Sequence, residues 1–162
     1  MDIGIWNLVL NDMLIIHTIS SLLSYVAFLI AFGAGLLFLI QERQIKRKRM
    51  GVLFHRLPSL DQLERVNVFA IGLGFALLTI GLSWGLVGSR LLRGLWWSGD
   101  PKEILSATLW LCYFILWTAR LRATMRGRRV AWLSVGMFCV VLFTFVGVGA
   151  LLGSWHPYVS LR

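Results

Sequence analysis

Cysteines are scarce in this sequence, and the usual motifs of catalytic and metal-binding sites are missing. The two cysteines, Cys112 and Cys139, lie inside separate apolar runs. They form neither C-x-x-C nor C-x-x-C-H, so the sequence signals neither a dithiol redox pair nor covalent attachment of haem. No nucleophile, metal-binding cluster or glycine-rich phosphate loop accompanies the acidic pair Asp100 and Glu103. Both thiols are predicted to be buried and structural, and whether the protein is an enzyme stays open.

Acidic residues are also few, and the basic residues are unevenly distributed. The chain has 162 residues, with 7 Asp and Glu against 16 Lys and Arg, which gives a formal net charge of +9. The basic residues cluster in the gaps between apolar runs, as membrane insertion requires, so we expect no nucleic-acid partner. Hydrophobic residues make up 58% of the chain, whereas soluble domains have roughly 45–50%. The composition therefore predicts an integral membrane protein in contact with lipid.

Four apolar stretches are candidates for transmembrane helices, each of which needs about 20 residues to cross the hydrocarbon core. They cover residues 17–40, 66–88, 104–119 and 130–152. The third is short, and Lys102 and Arg120 can extend it by reaching towards the interfaces. Of the 16 basic residues, 7 fall in residues 43–65 and 5 in residues 120–129, which marks both segments as cytoplasmic. The predicted fold is an all-α polytopic membrane protein with four transmembrane helices and both termini outside.

The segments that flank this four-helix domain, residues 17–158, are short. Residues 1–16 have no basic start and no small-residue cleavage site, so they are not expected to be a signal peptide. Polar residues interrupt their apolar run, and Trp6 suits an interface, which predicts a segment lying on the outer membrane surface. Residues 159–162 form a tail.

Three local patterns indicate where the helices begin and where they approach one another. Ser59 and Gln62 have capping-box spacing, which predicts a helix start that continues into the second span. Gly81 and Gly85 have G-x-x-x-G spacing, which lets a neighbouring helix come close. Pro101 is suited to the first turn of the third helix.

A tryptophan-rich loop, residues 89–103, separates the second and third spans. It places Trp96 and Trp97 beside the run Asp-Pro-Lys-Glu, a mixture that belongs at a membrane–water boundary. The predicted topology puts His17, at the start of the first span, and His156, after the fourth, on the same side as this loop. His55 falls on the opposite side and cannot join them.

The blocks of sequence around these residues resemble the CcsA-type cytochrome c assembly family, the haem-handling proteins of system II cytochrome c maturation. Residues 93–103 are similar to the family's tryptophan-rich loop and end in an intact Asp-Pro-Lys-Glu. His17 with Ser24 and Tyr25 resembles the family's first helix, and the run Trp155 to Tyr158 resembles its closing motif. Further similar blocks occur in the family's order at residues 41–49, 57–67, 72–81 and 125–148.

The chemistry of these residues, together with the resemblance, predicts a haem b site at the outer membrane surface. Two neutral imidazoles can ligate haem iron from opposite faces, tryptophans can pack on the ring, and arginines can pair with propionates. The predicted iron ligands are His17 and His156. The other predicted cofactor-binding residues are Trp96, Trp97, Asp100, Arg90 and Arg93. Trp117 stands where the family has a further histidine, which implies that an intramembrane haem site is not retained.

The resemblance implies a role in cytochrome c maturation in the bacterial plasma membrane, with haem on the periplasmic side. It also implies other membrane subunits and apocytochrome c as partners. Two alternatives remain open. One is a b-type cytochrome that carries electrons in a respiratory membrane complex. The other is a haem-free structural subunit whose tryptophan-rich loop is a docking surface.

Overall fold

Four α-helices account for almost all of the chain that the structure describes. The computed structural model describes residues 3–48, 58–96, 99, 101–122 and 126–142, with side chains from residue 10 onward and, in the third helix, from residue 103 onward. The helices are α1 (Ile3–Lys46), α2 (Leu60–Arg93), α3 (Pro101–Leu121) and α4 (Arg128–Leu142). These residues contain no β-strand, so the all-α prediction is confirmed for them.

Capping residues set both ends of α2. The Ser59 side chain accepts a hydrogen bond from the backbone N–H of Gln62, and the Gln62 side chain accepts one from the backbone N–H of Ser59. This is the capping box that the sequence predicts. Gly94 ends the helix with φ of +73°, a left-handed conformation that glycine adopts without strain. Pro101 is the first residue of α3, also as predicted.

Helices α1, α2 and α3 are long and apolar enough to cross a membrane. The 44 residues of α1 correspond to a length of about 66 Å, which is roughly twice the thickness of a hydrocarbon core. The helix therefore extends well beyond the bilayer core. Residues 3–16 continue α1 without a break, and their predicted place on the outer surface stays a prediction. The described part of α4 has 15 residues, and the rest of the predicted fourth span, residues 143–152, lies outside the described residues.

Aromatic stacking and a glycine position α1 against α2 and α3 in the main apolar core. The Phe28 ring of α1 stacks on the Tyr113 ring of α3, with centroids 3.8 Å apart and planes inclined by 15°. A β-carbon added to Gly74 of α2 would lie 2.5 Å from Phe28 Cε1. Only a residue without a side chain therefore allows α2 to pass so close to this ring.

A buried polar cluster joins α1, α2 and α4 near the start of α2. Asn67 Nδ2 donates to the Ala31 carbonyl at 2.6 Å and lies 2.9 Å from Ser134 Oγ. Ser134 Oγ in turn donates to the Ala131 carbonyl at 3.0 Å. Hydrogen bonds between helices hold bundles together in lipid, where no hydrophobic effect favours helix association.

Ion pairs tie the two predicted cytoplasmic segments to one end of the bundle. Arg120 Nη2, at the end of α3, lies 3.0 Å from Glu64 Oε1, near the start of α2. The Gly127 amide, just before α4, donates to the same oxygen at 3.1 Å. Arg128 Nε lies 3.6 Å from Glu42 Oε2, close to the end of α1. The described parts of both basic segments therefore lie at the same end, the basic end, as the predicted topology requires.

Large apolar side chains cover the outer faces of the helices. Phe69, for example, is 71% exposed. Further exposed residues are Ile19, Leu22, Leu73, Leu111, Ile115 and Trp132. An apolar surface of this extent suits contact with lipid rather than water. Cys139 is exposed on α4 and Cys112 is half-buried, so the prediction that both thiols are buried is wrong for Cys139.

Candidate functional site

His17 is held between α1 and α2, away from the basic end. Its side chain is half-buried, and its Nδ1 atom lies 2.7 Å from the carbonyl oxygen of Gly81. A β-carbon added to Gly85 would lie 2.9 Å from the same nitrogen and 3.0 Å from Cε1. The imidazole therefore lies directly on the backbone of α2, between two glycines that are one turn apart.

The spacing of small residues on the two helices explains why α1 comes this close. His17 and Ser21 are four residues apart on α1, as Gly81 and Gly85 are on α2, so each pair lies on one face of its helix. A β-carbon on Gly81 would lie 2.7 Å from Ser21 Oγ. The G-x-x-x-G spacing predicts a close approach but does not name the partner; the structure identifies it as the His17 face of α1.

The His17 ring extends towards the end of α2 that carries the tryptophan-rich loop. The backbone carbonyl of His17 lies level with Gly81, and the imidazole ring lies level with Gly85, one turn further along α2. Side chains on a helix tilt towards its N-terminus, which for α1 is the end opposite the basic end. From Gly85 to Gly94 the helical rise is about 13 Å, so the His17 ring contacts α2 about that distance before the helix ends at the loop.

Arg90, in the last turn of α2, organises the described part of the tryptophan-rich loop. Of the predicted loop, residues 89–103, the structure assigns 89–93 to α2 and 101–103 to α3. Its guanidinium carbon lies 5.8 Å from the centre of the Trp96 ring, a cation–π distance. One guanidinium nitrogen also donates to the Gly94 carbonyl, and Ser89 Oγ donates to the Leu95 carbonyl at 3.1 Å. Trp96 remains 58% exposed. The arrangement presents an aromatic face and a positive charge together at this end of the bundle.

The predicted site residues are only partly within the described structure. Arg90 and Trp96 are brought into contact, and Arg93 is exposed in the last turn of α2. His17, on α1, contacts the backbone of α2, the helix that leads into the loop. Trp97, Asp100 and His156 lie outside the described residues. Within the described part of the chain, no three His, Cys, Asp or Glu side chains form a metal-binding group.

Two tryptophans of α3 attach that helix to α2. Trp110 Nε1 donates to Thr79 Oγ1 at 2.9 Å, and its ring stacks on Phe114 with centroids 5.4 Å apart. A β-carbon on Gly72 would lie 2.5 Å from the Trp117 ring. The Trp117 indole therefore fills the gap between α2 and α3.

The fold defines an integral membrane protein: a helical bundle with a basic end, and an opposite end that carries a histidine and a tryptophan-rich loop. The sequence model of the family described as cytochrome C assembly protein matches residues 2–156. The chain therefore belongs to the cytochrome c assembly family, and the predicted family is confirmed.

Several curated relatives carry the name cytochrome c biogenesis protein CcsA. The relative from Crocosphaera subtropica is 33% identical over 126 residues, covering 78% of this chain and 38% of the relative. The one from Prochlorococcus marinus subsp. pastoris is 30% identical over 167 residues, covering 91% and 53%. The one from Synechocystis sp. is 38% identical over 103 residues, covering 64% and 31%. The chain thus spans about a third to a half of the length of these relatives. No solved structure matches it.

Proposed function

We propose that this chain binds haem b at the non-basic end of its helical bundle and holds it there for cytochrome c maturation. His17 and His156 are the axial ligands of the iron in this proposal. Trp96 and Trp97 pack against the macrocycle, Arg90 and Arg93 face its propionates, and Asp100 orders the loop. The observation that carries the proposal is the packing of the His17 ring of α1 against α2, the helix that leads directly into the tryptophan-rich loop.

The residues at this end suit the chemistry of haem. Imidazole nitrogen is a strong axial ligand for haem iron, and His17 is half-buried, so its ring is partly shielded from solvent. Trp96 exposes an aromatic face with the Arg90 guanidinium beside it. A haem has an apolar ring and two carboxylates at one edge, and an aromatic surface next to arginine complements both.

The membrane topology belongs to the same proposal. Helix α4 continues into a fourth transmembrane span, both termini lie outside, and the basic end faces the cytoplasm of a bacterial plasma membrane. The clustering of 12 of the 16 basic residues in two segments supports this orientation by the positive-inside rule. The haem then lies on the periplasmic side, where other membrane subunits of the assembly machinery and apocytochrome c would meet it.

Optical spectra of the purified protein and three single variants test the ligands. We expect a low-spin b-type spectrum, confirmed by pyridine haemochrome, that is lost or converted to high spin in His17→Ala and in His156→Ala. His55→Ala is the matched control, because this third histidine lies in the predicted cytoplasmic loop, and its spectrum should be unchanged. An unaltered Soret and α band in both ligand variants would rule out the assignment. Protein that carries no haem would favour the haem-free structural subunit instead.

A further inference from the structure

We propose that Gly81 and Gly85 are positioning residues for His17: together they fix its tautomer and its ring orientation, so that Nε2 is the nitrogen left free to bind iron. The role towards iron rests on the proposed function. The tautomer and the orientation follow from contacts within this chain and stand independently of any cofactor.

The Gly81 carbonyl determines which nitrogen of the imidazole carries the proton. The Gly81 carbonyl oxygen can only accept a hydrogen bond, so His17 Nδ1, 2.7 Å away, must be the donor. A carbonyl oxygen has two lone pairs, so Gly81 can make this bond and its helical bond together. A neutral imidazole carries one N–H, and its other nitrogen then holds a lone pair. The tautomer with the proton on Nδ1 leaves Nε2 as the potential ligand.

The close contact between α1 and α2 leaves no room for a side chain at Gly81 or Gly85. The imidazole can pack directly against the backbone of α2 only if no side chain lies between them. A β-carbon at Gly85 would lie 2.9 Å from Nδ1, too close for the ring to keep its position. A β-carbon at Gly81 would lie 2.7 Å from Ser21 Oγ and only 3.6 Å from the His17 carbonyl, so alanine there pushes α1 away. Either substitution therefore lengthens the bond from His17 to the Gly81 carbonyl.

The hydrogen bond from His17 to Gly81 is of the kind that metal-binding histidines make. Histidines that bind metals usually donate their second ring N–H to a carbonyl or carboxylate, which fixes the tautomer and orients the ring. Loss of such a partner costs about 10- to 100-fold in metal affinity. The Gly81 carbonyl supplies this partner for His17 from a different helix, so its position depends on the packing of α1 against α2.

The tautomer can be measured in haem-free protein. Nitrogen NMR of protein labelled with ¹⁵N-histidine, at a pH high enough to keep imidazole neutral, distinguishes Nδ1–H from Nε2–H. The His17 signal is assigned by its loss in His17→Ala. We expect the Nδ1–H tautomer in the wild-type protein and a mixture of both tautomers in Gly85→Ala. Gly88→Ala is the matched control, because a β-carbon at Gly88 meets nothing within 4 Å. An Nε2–H tautomer in the wild-type protein would overturn the inference, whether or not the Gly85 variant folds.

Haem titration of the same variants tests the consequence for binding. We expect Gly85→Ala to weaken haem binding about 10- to 100-fold and Gly88→Ala to leave it unchanged. Equal haem affinity in these two variants would overturn the positioning role while leaving His17 as a ligand. If His17→Ala itself does not alter the haem spectrum, the proposed function fails, yet an Nδ1–H signal would still support the contact between His17 and Gly81.

Discussion

Glu64 and Arg120 join the first turns of α2 to the last turn of α3 through an ion pair of 3.0 Å. The Glu64 and Arg120 side chains are only 24% and 22% exposed, and the Gly127 amide donates to the same Glu64 oxygen. One carboxylate thus holds three elements at the basic end. This contact agrees with the clustering of basic residues in the sequence, because it joins residues of both basic segments at one end of the bundle.

Neutralising Glu64 should loosen the basic end. In Glu64→Gln the charge that attracts Arg120 is lost, and we expect the free energy of unfolding to fall by about 1.5–3 kcal/mol, typical of a hydrogen bond to a charged group. Asp61→Asn is the matched control, because Asp61 pairs with Arg65 in the same turn but both side chains are mostly exposed. Exposed pairs contribute little. Unfolding in detergent, followed by circular dichroism, measures the loss of stability in both variants. Equal losses in Glu64→Gln and Asp61→Asn would contradict the role of Glu64.

Replacing Gly35 should disturb the buried polar cluster. A β-carbon there would lie 2.7 Å from Ser134 Oγ and 3.1 Å from Asn67 Nδ2. We expect Gly35→Ala to lower stability by about 1–3 kcal/mol, as overpacking does. Gly33 lies two residues earlier on α1, and a β-carbon there meets nothing within 4 Å. Gly33→Ala should be neutral or should raise stability by up to about 1 kcal/mol through helix propensity. Thermal unfolding of both variants tests this prediction. It fails if Gly35→Ala and Gly33→Ala have the same melting temperature.

Removing the Tyr113 hydroxyl should not destabilise the protein. Tyr113 is fully buried, and its hydroxyl finds no hydrogen-bond partner among the described residues. An unpaired buried hydroxyl costs free energy, whereas the ring contributes its stacking on Phe28. We expect Tyr113→Phe to leave the unfolding free energy unchanged or to raise it by about 1 kcal/mol. Tyr113→Ala should lower it by about 3–5 kcal/mol. A clear loss in the phenylalanine variant would show that the hydroxyl is hydrogen-bonded.

The left-handed turn at Gly94 should control the order of the tryptophan-rich loop. Because φ is +73°, Gly94→Ala strains the backbone by about 1–2 kcal/mol, although a β-carbon there has no neighbour within 4 Å. We expect the hydrogen-exchange rates of the backbone amides in residues 89–96 to rise roughly tenfold, because the strain lowers the free energy of local opening. Gly94→Asn, which tolerates this conformation, should exchange nearly as slowly as the wild-type protein. Unchanged exchange in the alanine variant would refute the constraint.

The starts of α2 and α3 are predicted well because their signals are local. Ser59 and Gln62 are three residues apart and cap α2 by contacts within one turn, so their identity is sufficient to predict the start. The same holds for Pro101 at the start of α3. Family membership is also carried by blocks of contiguous sequence, among them the loop that ends in residues 100–103, so it too can be recognised without knowledge of how the helices pack.

The amino-acid sequence by itself determined the apolar stretches, the basic segments, the caps and the family, since each depends on residues close together in the chain. Only the tertiary structure decided which surfaces meet. The contact between His17 and Gly81 spans 64 positions and exists because α1 and α2 are rotated to place their small residues face to face. The cluster of Asn67 and Ser134 depends in the same way on how α2 and α4 are turned about their axes. Spacing in a sequence tells which residues share a helix face, but the packing of the whole bundle selects the helix that this face contacts.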